Sequence, residues 1–60
     1  MTSERVQRRI DRLLDDAESA ADQHDWMSVL ECVRGVLALE PENQDALDFQ
    51  AMATKAQGFS

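Results

Sequence analysis

With a single cysteine, Cys32, the chain has no means of forming an internal disulfide. Secreted domains of this size normally depend on several bridges, so an oxidising compartment is not expected. One cysteine and one histidine, His24, also fall short of a zinc site. No apolar run approaches the ~20 residues of a membrane-spanning helix, so no membrane span is expected. The opening Met-Thr-Ser-Glu-Arg lacks the apolar stretch of a signal peptide. The cytoplasm is the location this pattern implies. Cations are scarce too: six Lys and Arg stand against twelve Asp and Glu, for a net charge of -6 and a pI near 4.4. Such a balance repels nucleic acid and anionic membranes on average and favours basic partners.

Tyrosine is absent, and only one proline and two glycines punctuate the 60 residues. The remainder is dominated by Ala, Leu, Arg, Glu and Gln, which lose little side-chain entropy in a helix. An all-α fold follows. A chain this short makes one domain at most, here residues 1–60. It buries only roughly 60% of the surface it exposes when unfolded. Such a core does not comfortably enclose a cavity for a small-molecule substrate or cofactor, which argues against a buried catalytic site. No enzymatic role, cofactor or metal is expected.

Three helices are predicted, near residues 3–23, 26–40 and 43–57. In the first, Val6, Ile10, Leu13, Ala17 and Ala20 step by four, three, four and three, the mark of a buried stripe, which Leu14 and Ala21 widen. Thr2 or Ser3 can supply its N-cap oxygen. Asp25 is a good N-cap for a second helix opening at Trp26. Val29, Leu30, Val33, Val36, Leu37 and Leu39 give that helix a broad apolar face, predicted to be the most buried. Pro41 ends it, because proline lacks an amide donor and pushes the residue before it out of helical geometry. Asn43 caps the third helix, where Ala46, Leu47, Phe49, Ala51, Met52, Ala53 and Ala56 are apolar on more than one side. Gly58 stops it. Short connections make neighbouring helices antiparallel.

This arrangement resembles the tetratricopeptide repeat, a helix pair of 34 residues. Leu13 stands for the large first anchor and Ala17 for the small contact residue. Asp25-Trp26 is similar to the acidic-aromatic turn that opens the second helix. Val29, Val33 and Val36 fall at the spacing of the family's three anchors, and Pro41 at that of its proline. The stretch Ala38-Leu39-Glu40-Pro41-Glu42-Asn43 resembles an inter-repeat junction. A shift of 34 residues pairs Asp11 with Asp45, Leu13 with Leu47, Ala17 with Ala51 and Gln23 with Gln57. The resemblance spans residues 10–57, one repeat and the first helix of another. Asp16 and Gln50 depart from it where leucine is expected, and Ala20 and Thr54 where an aromatic is. It implies a non-catalytic scaffold for protein–protein interaction. The chain stops where the next second-type helix would start, so a longer protein or an oligomer is the expected setting.

Four groups of residues are candidates for function. Asp11, Asp15, Glu18 and Asp22 step by four, three and four along one helix face. By the resemblance that face lines a concave peptide-binding surface, which Asp45 and Asp48 extend onto the third helix. The functional reading is a groove for a basic segment, and the plain one is a solvated helix face. A metal is disfavoured, because hard cations need oxygens converging from a bent loop. Leu14, Leu47, Phe49 and Met52 form the second group, an apolar patch for a partner or a second copy of the chain, as a dimer or larger assembly. Self-association or docking through this patch is the leading expectation. Arg5, Arg8, Arg9 and Arg12 could contact phosphate, but no aromatic accompanies them, and surface pairs such as Glu4–Arg8, Arg8–Asp11 and Arg12–Asp15 explain them more simply. Nucleic acid is a disfavoured partner. His24 beside Asp25 suggests a base and its orienting carboxylate with no nucleophile, and Cys32 reads as a packing thiol. Tetratricopeptide domains that clamp carboxylate tails use basic and amide residues where this chain has Leu14, Glu18, Asp48 and Met52, so that use is disfavoured.

Overall fold

A computed structural model of the chain describes residues 3–58. Three α-helices follow one another: α1 over Glu4–Asp22, α2 over Trp26–Leu39 and α3 over Gln44–Gln57. The fold is all-α, and each predicted boundary lies within a residue of the observed one. Short links reverse the chain, so consecutive helices pack antiparallel. The second helix packs against both others, whereas α1 and α3 meet over only a few residues. The Cα extents of 39 × 20 × 13 Å describe a shallow slab.

Each helix begins on a side-chain cap at the residue the sequence offers. Ser3 Oγ accepts from the Val6 amide at 3.2 Å. Asp25 accepts from the Ser28 amide and, at 2.7 Å, from its hydroxyl. Asn43 Oδ1 accepts from the Ala46 amide at 2.8 Å. Each cap satisfies a donor that the first turn leaves without an intrahelical partner. Of the two N-cap candidates for α1, Ser3 takes the position, and Thr2 lies outside the described residues.

The two links differ in kind. Leaving α1, the His24 amide donates to Ala21 O at 3.0 Å and the Asp25 amide to Ala20 O at 2.8 Å. With His24 in the left-handed region at φ 58°, this is a Schellman closure. Nothing in the sequence signals it, because the position usually belongs to glycine or asparagine. Between α2 and α3, Pro41 occupies the second position of a turn closed by the Asn43 amide on Glu40 O at 3.0 Å. Glu40 is extended at φ -144°, ψ 87°, as a residue before proline prefers. Gly58 caps α3 at φ -63°, a conformation open to any residue, so its lack of a side chain is not what ends the helix.

The buried residues among those described are all aliphatic: Ile10, Ala17 and Ala20 from α1, Val29, Val33 and Val36 from α2, and Ala46 and Ala53 from α3. Val6, Leu13, Leu14, Trp26, Leu30 and Phe49 close over the edges, half-buried. Gly35 marks the close approach of α1 and α2, since a Cβ built there would lie 3.1 Å from Leu13 Cδ1. The third helix departs from expectation. Its buried face is Ala46 and Ala53 with half-buried Phe49, whereas Leu47, Ala51, Met52 and Ala56 are exposed. Its apolar residues do run round the helix as predicted, but only one flank has a helix to meet.

Candidate functional site

The acidic stripe exists because α1 turns its aliphatic residues toward α2, which leaves the i, i+4, i+7 set of Asp11, Asp15 and Glu18 along its outer flank. All three are exposed. Across from them α3 presents Asp45. Between the two helices Leu14 and Phe49 form a half-buried floor, and the open groove above it has a volume of about 430 Å³. A second hollow of about 210 Å³ continues along α3, lined by Asp45, Asp48, Phe49 and Met52. Five carboxylates from two helices therefore surround one apolar strip that runs from Leu14 through Phe49 to Met52.

Local hydrogen bonds fix two of these carboxylates. Gln7 Nε2 donates to Asp11 Oδ1 at 3.0 Å, and Gln44 Nε2 donates to Asp48 Oδ1 at 3.0 Å. Each is an i, i+4 pair along its own helix, and each leaves the charge intact. Among the described residues no cation neutralises the groove. The ion pair of Arg8 with Glu4, at 3.9 Å, involves two highly exposed side chains and lies outside the groove. The expected Arg8–Asp11 and Arg12–Asp15 pairs do not form, and Asp11 takes the Gln7 amide instead. Among the described residues no three His, Cys, Asp or Glu side chains gather closely enough to hold a metal ion.

The two candidate surfaces thus merge in part. Leu14, Phe49 and Met52 meet the acidic residues in a single trough, with Met52 48% exposed at its end. Leu47 does not join them. At about 100° per residue it sits on the opposite flank of α3 from Phe49 and Met52, and it is 37% exposed. The four apolar residues therefore do not make one patch. Asp22 is exposed at the end of α1, beyond the residues that line the trough.

Compared with known protein families, with curated proteins and with solved structures, the chain finds no match.

The remaining candidates fall away from the trough. His24 is exposed, and its ring meets Trp26 edge-on at 5.9 Å between centroids. Its neighbour Asp25 is engaged as the cap of α2, not as a partner for the imidazole. Cys32 is half-buried, and burial pushes its thiol above the usual range, with the nearby charges of Asp16 and Glu31 pushing the same way. A thiol held protonated in this way is a weak nucleophile. One hollow escaped the sequence reading: Leu30, Val33, Arg34, Leu37 and Gln50 line about 220 Å³ between α2 and α3. The apolar breadth of α2 was its only signal in the sequence. Among the described residues no helix is long and apolar enough to cross a membrane.

Proposed function

We propose that this chain is a non-catalytic protein-binding module of tetratricopeptide-like build, and that its α1–α3 trough receives a basic, amphipathic segment of a partner protein. One observation carries this reading. Carboxylates from two separate helices, Asp11, Asp15 and Glu18 on one side and Asp45 on the other, ring a shared apolar floor of Leu14 and Phe49. An acidic face kept only for solubility needs no such floor. A basic side chain with a long aliphatic stem suits both parts, its stem on the floor and its head among the carboxylates. The resemblance agrees in placing peptide binding on first-type helices, while the spacing of Val29, Val33, Val36 and Pro41 supports the repeat-like build.

Docking through the apolar residues alone has less support. Leu14 and Phe49 are half-buried, and Leu47 lies on another flank. Two copies meeting face to face through the trough would also bring like charges together. The test is calorimetric titration of the chain with an Arg-rich peptide carrying apolar residues at i, i+3 spacing. Binding should weaken as salt rises, and Asp15→Asn with Asp45→Asn should weaken it by about tenfold, two charge-assisted contacts being lost. Absence of binding at low salt by a monomeric chain defeats the reading.

A further inference from the structure

The first helix carries a second charged stripe. Arg5, Arg9 and Arg12 step by four and three, the same steps that separate Asp11, Asp15 and Glu18. At about 100° per residue the two sets lie on opposite flanks of the outward side of α1. All three arginines are exposed, and none makes an ion pair among the described residues. These are half of the six cations in the chain.

We propose that the occupant of the trough is the arginine stripe of a second copy of this chain. The inference rests on the trough being a site for basic segments, and it names the segment. Register is the argument. Arg5, Arg9 and Arg12 precede Asp11, Asp15 and Glu18 by six residues in every case, so a parallel α1 from a neighbour seats all three pairs with one axial shift of about 9 Å. An antiparallel neighbour meets the steps in reverse order and matches at most two. The arginine stems then cover the part of Leu14 and Phe49 that the chain's own packing leaves exposed. A shift of six residues cannot be satisfied reciprocally by two copies, so each copy gives its stripe to one neighbour and its trough to another. The contact is heterologous, and assembly proceeds past the dimer to a ring or an open array.

Sedimentation equilibrium of the full chain tests this, with helix content checked by circular dichroism for each variant. Two charge-reversed chains are needed, Arg9→Glu with Arg12→Glu and Asp15→Lys with Glu18→Lys. The wild type should self-associate at about 0.02 M salt, grow beyond a dimer with concentration, and dissociate near about 0.5 M. Each reversed chain alone should associate at least about tenfold more weakly, and an equimolar mixture of the two should recover the association. A wild type that stays monomeric overturns the proposal, as does association indifferent to salt or to both reversals. An Arg-rich peptide titrated into the same wild-type sample separates the two readings. Peptide binding by a monomeric chain removes the second copy as occupant and leaves the trough as a receptor. Failure of both removes the receptor as well.

Discussion

The helices α1 and α3 share an apolar plan at a distance of 34 residues, yet only one of them has that plan covered. Leu13 and Ala17 on α1 face α2, half-buried and fully buried respectively. Their counterparts Leu47 and Ala51 on α3 face solvent. The third helix instead packs through Ala46 and Ala53, positions whose counterparts Arg12 and Ser19 are exposed. The same residue types therefore have opposite fates, decided by which flank a neighbour occupies. Helical periodicity specifies a stripe, and only the partner element specifies whether the stripe is core.

Breaking the covered side should have the largest effect. Ile10 is the largest fully buried side chain of α1, whereas its counterpart Gln44 is exposed on α3. Ile10→Ala should cost about 2–5 kcal/mol. A domain of this length has roughly 3–9 kcal/mol in all, so thermal denaturation should show a chain close to unfolded at 37 °C. A midpoint equal to wild type would mean that Ile10 is not core.

A paired substitution sharpens the contrast. Ala17→Leu inserts three heavy atoms into a fully buried position and should destabilise by about 1–3 kcal/mol through overpacking. Ala51→Leu, at the equivalent place on the exposed flank, should change stability by no more than about 0.5 kcal/mol. Urea midpoints measured side by side decide the matter. Equal losses would show that α3 uses the same face as α1.

The smallest effect concerns how the two helices end. The turn after α1 holds His24 at φ 58°, while the glycine after α3 sits at φ -63°. A non-glycine residue in the left-handed region carries a penalty of about 1–2 kcal/mol. His24→Gly removes that strain, loses the edge contact with Trp26 and adds freedom to the unfolded chain. The net expectation is a gain of less than about 1 kcal/mol, read as a small rise in melting temperature. A loss would show that the His24–Trp26 contact outweighs the backbone strain.

Much of the fold was legible along the chain because its signals are local. Ser3, Asp25 and Asn43 stand directly before apolar-periodic stretches, and Pro41 forces the α2 boundary by its own chemistry. The stripe of Val6, Ile10, Leu13, Ala17 and Ala20 was readable for the same reason. What was not legible depends on how helices sit across one another. Apolar character alone groups Leu47 with Phe49 and Met52, yet two residues along a helix is about half a turn, which puts Leu47 and Phe49 on opposite sides. That Leu14 and Phe49 share a floor with carboxylates from both helices follows from the packing of α1 and α3 about α2, which no local pattern encodes. The closure at His24 left no trace because the residue there is not one of those that favour it.

Asp25 belongs to two helices at once. Its amide donates to Ala20 O at the end of α1, while its carboxylate holds the first turn of α2. Fraying at one of these ends therefore disturbs the other. The start of the third helix is held by a separate set of bonds at Glu40 and Asn43, and its body by Ala46 and Ala53 in the shared core. The trough needs both halves. Its apolar floor of Leu14 and Phe49 exists only because α1 and α3 both pack against α2.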